Sequence, residues 1–310
     1  MKKYYKTIML VLVVCCGGLM INAVQDAPTD ENLEVKIVND YNIYALPLPD
    51  EMSFAGEAVP LDDPDIRERM DRELLVNTYW QSNGLLIMKR AKRYFPVIEP
   101  LLKKYGLPDD FKYLAVAESA LQNNRSPAGA AGFWHFLKST GREYGLEIND
   151  YVDERYNLEL STKVAAEYLK KSKERFGSWT LAAAAYNAGN AGISKQQKRQ
   201  DAFGSYYDLL LNDETSRYLF RILAFKEIMS NPKKYGFNFR DQDLYQPIPT
   251  YEVVIDSAIT DMPAFAKKFN INYKILKLHN PWLRDTYLKN ASRKKYTITI
   301  PKEGVYSMGQ

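Results

Sequence analysis

Cysteine and histidine are scarce in this sequence, whose 310 residues include two of each. Cys15 and Cys16 both lie in an apolar segment near the N-terminus. A chain cleaved after Ala23 would therefore contain no cysteine, which excludes disulfide bonds and thiol chemistry. His135 and His279 lie in regions of different sequence character, which argues against a metal site built on histidine.

A clustered excess of basic charge is also missing. The net charge is +4, but three of the 42 basic residues, Lys2, Lys3 and Lys6, lie near the start of the chain. Without these three, 39 basic residues remain against 38 acidic ones. This balance argues against nucleic-acid binding, which needs a basic face. A content of 46% hydrophobic and 26% charged residues is typical of a folded protein, and the length allows more than one domain.

Residues 1–23 have the pattern of a secretory signal peptide. A basic start is followed by an apolar run from Ile8 to Cys16 and by small residues that end at Ala23. The run is shorter than the roughly 20 apolar residues that a transmembrane helix needs. Lipoprotein processing at one of the cysteines is the alternative, and it is disfavoured by the valines before Cys15. The sequence thus predicts export to the periplasm, with association to a membrane through a lipid as the open alternative.

The next two regions differ in composition. Residues 24–64 are acidic and interrupted by proline, which predicts an extended leader or linker with little structure of its own. Apolar residues at helical intervals then predict a helical domain over 65–240, with Asp65 as the first N-cap. The predicted helices span 65–81, 84–106 (bent or broken at Pro96), 109–122, 134–144, 158–176, 178–188 and 214–230.

The C-terminal region, 250–302, has a different pattern. The stretches "TYEVVID" and "KKYTITIP" alternate in polarity and are rich in β-branched residues, which predicts two strands. The segment between them predicts two short helices. A unit of this size is too small for an enzyme core and is typical of a binding module. The predicted fold class is therefore mainly α, with a small α+β module at the C-terminus.

One carboxylate stands out in the helical region. In "YLAVAESALQ", residues 113–122, Glu118 is the only ionisable acid among apolar and small residues, near the predicted end of a helix. Burial and the helix dipole both favour the protonated carboxyl group there, which is the form that a general acid needs. The alternative is a buried glutamate satisfied by Arg125 or by backbone amides. The helix alone favours that alternative.

The motifs around Glu118 change this balance. The sequence "AESALQNNRSPAGAAGFWHFLKSTG" is followed about fifty residues later by "AAAAYNAG" and then by "DETSRYL". Their order and spacing resemble the family 1 (Slt-type) lytic transglycosylases. The resemblance covers residues 60–235 and implies a lysozyme-like helical fold. It also implies the activity of these enzymes, which cleave the glycan strands of peptidoglycan.

The resemblance also implies roles for individual residues. Glu118 matches the single catalytic acid and base of the family, and Ser119 matches the serine that follows it. The stretch "SPAGAAG" matches a loop that lines the sugar cleft, which makes Ser126, Gly129 and Gly132 substrate-binding candidates.

Further along the chain, Tyr186 and Asn187 match the Ala-Tyr-Asn motif, in which the tyrosine positions the catalytic group and the sugar. Glu214 matches a second acidic position in the cleft. A core tyrosine and an ordinary glutamate at a helix N-terminus are the alternatives for Tyr186 and Glu214.

One stretch departs from the family pattern. Where the family commonly has Gly-Leu-Met-Gln, this chain has Gly132, Phe133, Trp134 and His135. The aromatic pair is expected to stack on sugar faces. The imidazole of His135 offers one donor and one acceptor in a geometry different from that of an amide. We therefore expect Trp134 and His135 to bind substrate, with the change bearing on substrate placement more than on chemistry.

The resemblance implies a mechanism with one glutamate and no metal or cofactor. Glu118 protonates the β-1,4 bond between N-acetylmuramic acid and N-acetylglucosamine, and then accepts the proton of the muramic C6 hydroxyl, which leaves 1,6-anhydro ends. The implied partner is the peptidoglycan glycan strand, and we expect the chain to act as a monomer. A goose-type lysozyme-like muramidase, which hydrolyses the bond, and a non-catalytic peptidoglycan-binding scaffold are the alternatives.

The C-terminal region resembles a diverged LysM module, a unit that binds glycans containing N-acetylglucosamine. "LKLHNPWL" resembles its second helix and "YTITIP" its last strand. The usual Gly-Asp-Thr is replaced by Ile259, Thr260 and Asp261. Glycan binding and a purely structural role both stay open for this region.

Overall fold

The computed structural model describes residues 42–307 of the chain. The predicted signal peptide and the first part of the predicted leader lie outside the described residues. By its internal contacts, Leu46–Gln310 forms one compact unit. Within residues 42–307, every helix is too short or too polar to cross a lipid bilayer.

Helices dominate the described residues, which confirms the predicted mainly α fold class. The helical region begins with a short hairpin, β1 and β2, and continues with helices α1 to α8. The C-terminal region consists of β3, α9, α10 and β4. The bounds are β1 Ser53–Phe54, β2 Glu57–Ala58, α1 Pro64–Tyr79, α2 Gln81–Lys104, α3 Phe111–Ser119, α4 Lys138–Glu143, α5 Leu158–Phe176, α6 Trp179–Ala188, α7 Asn190–Gln200, α8 Asp213–Ser230, β3 Thr250–Ile255, α9 Met262–Lys267, α10 Tyr273–His279 and β4 Tyr296–Pro301.

The hairpin corrects the prediction that the leader has little structure up to residue 64. Phe54 is fully buried in the main core, and the Glu57 carboxylate accepts the first two backbone N–H groups of α6 at 2.5 and 2.9 Å. Ala55 and Gly56 form the turn with φ of 53° and 82°. Proline excludes a helix here, but it does not exclude a two-residue turn that directs an aromatic side chain into the core.

Local signals place most helix ends well. Helix α5 has its predicted bounds, because the Asn157 side chain accepts the Leu160 N–H at its start and Gly177 adopts a left-handed conformation at its end. Helix α2 continues through Pro96 and is not broken there. The N-cap of α1 is Asp63 rather than the predicted Asp65, since its side chain accepts two backbone N–H groups of the first turn.

Two predicted helices are shorter than expected: α3, which contains Glu118, and α4, which follows His135. Helix α3 stops at Ser119 because Ala120 and Leu121 have φ of 51° and 57°. Helix α4 begins only at Lys138, since His135 has φ of 49° and the residues before α4 form a loop. The left-handed conformation is incompatible with a continuing right-handed helix.

Helix α8 holds the helical region together. It packs against α1, α3 and α6, and nine of its residues are buried, including Tyr218. This packing brings Tyr218, in the second turn of α8, beside the C-terminal end of α3. The candidate site lies at that point.

The predicted order of strand, two helices and strand is confirmed in the C-terminal region. Strand β3 pairs antiparallel with β4, from Thr250 opposite Pro301 to Ile255 opposite Tyr296. Alternate residues of β4 are buried against α10 and its neighbours.

This C-terminal region is fastened to the segment that precedes α5. The backbone N–H of Asp153 donates to the carbonyl of Trp282 at 2.9 Å, and the Lys294 ammonium bridges Glu147 and Glu154 at 2.7 Å each. Ala131, Val152 and Tyr156 from the helical region belong to the same apolar cluster as the C-terminal side chains. The region therefore stiffens the loop that borders the candidate site.

Candidate active site

Glu118 lies in the last turn of α3, and its side chain is 15% exposed. The turn beneath it is held by the Ser119 hydroxyl, which donates to the carbonyls of Ala115 and Phe133 at 3.1 and 2.9 Å. Two successive left-handed residues, Ala120 and Leu121, follow. Each such non-glycine residue costs about 1 kcal/mol or more, so the surrounding contacts hold this helix end in place.

Two side chains from distant parts of the chain approach the Glu118 carboxyl group. The phenol of Tyr218, on α8, donates a short hydrogen bond to Oε1. The His135 imidazole faces the other oxygen, with Nδ1 3.6 Å from Oε2. In the described part of the chain, the side chains that contact this carboxyl group through their polar atoms are thus a phenol and an imidazole.

The sequence-based predictions give no role to Tyr218, although it ends the "DETSRY" stretch. It is buried, and burial together with the adjacent Glu118 carboxylate raises the pKa of its phenol well above the ordinary value. The phenol therefore stays protonated and acts as a donor to Glu118. The available signal was the spacing of four residues from Glu214, which places both side chains on one face of α8.

The loop before α4 contains the predicted glycine and serine residues. The Ser126 hydroxyl accepts the Ala130 N–H at 3.1 Å, and the Gly129 carbonyl accepts from the Arg155 guanidinium at 2.9 Å. Gly132 has φ of 82°, and a Cβ there would lie 1.9 Å from the Arg155 carbonyl oxygen. These contacts give Ser126, Gly129 and Gly132 a role in shaping the loop, while sugar binding by them stays a prediction.

The prediction that the Trp134 ring stacks on a sugar is wrong. The side chain is fully buried, and its indole N–H donates to the Thr162 hydroxyl at 2.9 Å inside the protein. Phe133 is likewise buried, with 2% of its surface exposed. The rings of Phe133 and Trp134 therefore lie in the core. Of residues 132–135, His135 is the one whose side chain lies beside Glu118.

Tyr186 supports the loop before α4 through its hydroxyl group. Its hydroxyl donates to the Trp134 carbonyl at 2.7 Å, and its ring packs edge-on against Tyr168 with centroids 5.4 Å apart. Burial, with the nearby Glu118 charge, raises the pKa of the Tyr186 phenol well above the ordinary value. This residue therefore supports the backbone that carries His135.

Asn187 links α6 to the start of α8. Its side-chain oxygen accepts from the Thr215 hydroxyl at 2.8 Å, and its amide nitrogen lies 3.5 Å from a Glu214 carboxylate oxygen. Glu214 is exposed in the first turn of α8. The pair forms a polar rim on exposed surface, which is compatible with binding to sugar hydroxyls.

Two family models match parts of this chain. Residues 95–209 match the model of the transglycosylase SLT domain, and residues 251–304 match the soluble lytic transglycosylase C-terminal LysM-like domain. The former domain is of the lysozyme-like helical class, which confirms the predicted fold class.

Two curated relatives, both membrane-bound lytic murein transglycosylase D, come from Escherichia coli K12 and Escherichia coli O6:H1. Each is 30% identical to this chain over 262 residues, which cover 82% of this chain and 56% of the relative. The chain thus spans a little over half the length of these relatives.

A solved structure of an inactive mutant of the lytic transglycosylase Slt from Pseudomonas aeruginosa shows a weak likeness. The TM-score is 0.37 at 22% sequence identity, and the alignment covers 50% of this chain and 26% of that one. The domain assignment rests instead on the two family matches. Residues 95–209 are therefore a transglycosylase SLT domain, and residues 251–304 are a soluble lytic transglycosylase LysM-like domain.

Proposed function

We propose that this chain is a peptidoglycan lytic transglycosylase in which Glu118 is the single catalytic acid and base. The observation that carries the proposal is the surroundings of this carboxyl group, which is touched by the Tyr218 phenol and the His135 imidazole at the end of α3. The two domain matches and the names of the curated relatives support murein as the substrate class.

The first step is the protonation of the leaving oxygen. Tyr218 occupies Oε1 of Glu118, so Oε2 is the oxygen that carries the proton toward the glycosidic bond. As this proton moves to the O4 oxygen of N-acetylglucosamine, the bond to C1 of N-acetylmuramic acid breaks. The acetamido group of the substrate stabilises the positive charge that develops at C1.

The second step regenerates the acid. Glu118, now a carboxylate, accepts the proton of the muramic C6 hydroxyl. At the same time, the C6 oxygen of the sugar forms a bond to C1. The products are an N-acetylglucosamine end and a 1,6-anhydro-N-acetylmuramic acid end. Water is not consumed, so one carboxyl group serves both steps.

The other predicted residues have supporting roles in this proposal. The loop that contains Ser126, Gly129 and Gly132 lets the glycan approach the backbone, and Asn187 with Glu214 binds sugar hydroxyls at the rim. The signal-peptide pattern of residues 1–23 supports export, and we place the enzyme in the cell envelope, where its polymer lies.

The test is the digestion of purified sacculi by the full chain, with mass spectrometry of the released muropeptides. Products that end in anhydro-muramic acid, lighter by one water than reducing ends, are expected. Reducing muramic ends would instead identify a muramidase. Binding to sacculi without any release would identify a non-catalytic scaffold.

A further inference from the structure

The two oxygens of the Glu118 carboxyl group have different neighbours. Oε1 accepts from Tyr218, and Oε2 faces Nδ1 of His135 at 3.6 Å. Both the Glu118 and His135 side chains are mostly buried, at 15% and 13% exposure. The separation closes to a hydrogen bond with a shift of less than about 1 Å. The oxygen that carries the catalytic proton in the proposed reaction thus has an imidazole beside it.

The second nitrogen of this imidazole is already engaged. Nε2 of His135 lies 2.6 Å from Oδ1 of Asn124. An amide oxygen only accepts hydrogen bonds, so Nε2 must carry a proton. In the neutral imidazole, Nδ1 is then the unprotonated nitrogen, and its lone pair points to the side of Glu118.

The backbone holds this arrangement at an energetic cost. His135 has φ of 49°, which costs a residue with a side chain about 1 kcal/mol or more. The residues on either side are fixed, because the Trp134 carbonyl accepts from Tyr186 and the Phe136 carbonyl accepts from Arg155 at 3.1 Å. Strain that is maintained by several contacts at a functional position is typical of a positioned group.

We propose that His135 is a positioning residue for the proton of Glu118, with Asn124 as the group that selects its tautomer. Before the glycan binds, neutral His135 accepts the hydrogen bond of the protonated Oε2, and this keeps the proton on the oxygen that later gives it to the leaving group. Protonated His135 donates through Nδ1 to the carboxylate instead. The inference rests on the proposed role of Glu118 as acid and base.

Within residues 42–307, the groups that face this pair from α6 and α8 keep their charge in the range in which imidazoles titrate, about pH 5 to 8. Tyr186, on α6, and Tyr218, on α8, have pKa values raised well above the ordinary phenol value, so both stay neutral. Arg221, whose charge acts on Tyr218, stays charged. The charges that face Glu118 and His135 from α6 and α8 are therefore constant across this range.

Nitrogen NMR of the imidazole rings tests the proposal without any substrate. The chain has two histidines, and His279 is the internal control, because its Nε2 lies 2.9 Å from the Tyr306 hydroxyl in the C-terminal domain. Glu118→Gln removes the carboxylate that faces Nδ1 of His135. The titration midpoint of His135 should therefore fall by at least about half a pH unit, and that of His279 should not move.

Two further NMR results are expected. Neutral His135 should be protonated on Nε2, and Asn124→Asp should move its midpoint upward, because a carboxylate favours the imidazolium. A His135 midpoint that is unchanged to within about 0.2 pH unit in Glu118→Gln, or a neutral form protonated on Nδ1, would overturn the proposal.

The link to catalysis is tested by the pH dependence of muropeptide release from sacculi. His135→Gln keeps a polar side chain and cannot titrate, so its profile should lose one ionisation between about pH 5 and 8 relative to the parent and to His279→Gln. Superimposable profiles of parent and His135→Gln would overturn the positioning role. NMR coupling in a chain that releases no muropeptides would instead refute the proposed function and leave the coupling established.

Discussion

Gly132→Ala should destabilise the protein far more than Gly129→Ala, although both glycines lie in one loop. The two have similar left-handed conformations, with φ of 82° and 87°. An alanine at either position therefore costs about 1 kcal/mol in backbone energy. The positions differ in surroundings: the added Cβ would lie 1.9 Å from the Arg155 carbonyl oxygen at Gly132, and 3.5 Å from the flexible Arg125 guanidinium at Gly129.

The clash at Gly132 is not easily relieved, because Arg155 is held on all sides. Its guanidinium donates to both carboxylate oxygens of Asp153 at 2.9 and 2.7 Å and to the carbonyls of Gly129 and Phe136. Overpacking of a rigid site typically costs about 1–3 kcal/mol. The total loss should be about 2–4 kcal/mol for Gly132→Ala, against about 1 kcal/mol for Gly129→Ala.

Urea denaturation of the two variants and the parent, followed by far-ultraviolet circular dichroism, measures this difference. The expected result is a lower unfolding midpoint for Gly132→Ala than for Gly129→Ala, at unchanged dependence on urea. Equal losses in the two variants would show that the loop does not pack on the backbone of Arg155. The described shape of the candidate site would then be wrong.

Three further predictions concern the site and the C-terminal domain. Tyr218→Phe removes the hydrogen bond to Glu118, and turnover of sacculi should fall about tenfold to a hundredfold with little change in apparent KM; an unchanged turnover would exclude a role for the phenol. Lys294→Met removes the ion pairs to Glu147 and Glu154 and should lower the free energy of unfolding in urea by about 2 kcal/mol. An unchanged free energy of unfolding would mean that these ion pairs do not connect the two domains. Burial by itself raises the pKa of Glu147, but the hydrogen bond and charge of Lys294 outweigh it and leave this pKa below the ordinary 4.5. The unfolded chain then binds more protons in acid, so Glu147→Gln should be less stable than the parent near pH 7, and the gap should close as the pH falls below about 4.5; a gap that persists at about pH 3 would contradict this.

Where the fold depends on neighbours in sequence, the residues themselves predict it well. Helix α5 has its predicted bounds because Asn157 and Gly177 are strong local signals for a start and an end. Strand β4 is equally clear, since its buried and exposed residues alternate. Helices α3 and α4 fall short of their predicted lengths, because Ala120 and His135 adopt left-handed conformations, which are uncommon for residues other than glycine and are set here by tertiary contacts.

The candidate site depends on contacts between distant residues, and these could be predicted only in part. Glu118 stands out as a lone acid in an apolar helix, but its partner Tyr218 lies 100 positions away and contacts it through the packing of α8 on α3. The sequence predicts the Trp134 ring in the cleft, but the ring lies in the core, where the Thr162 hydroxyl accepts its indole N–H. The docking of Trp282 on Asp153 likewise follows from tertiary packing that no local pattern encodes.

The rate of muropeptide release from sacculi by Glu118→Gln is the most direct test of the single acid and base. The amide is nearly isosteric and cannot donate a proton to the leaving oxygen, so the rate should fall by about a thousandfold or more. Glu174→Gln, an exposed glutamate on α5, is the matched control and should release muropeptides like the parent. Both variants should unfold at the parent's temperature to within a few degrees. Release of anhydro-muropeptides by folded Glu118→Gln at near the parent's rate would contradict the proposed mechanism.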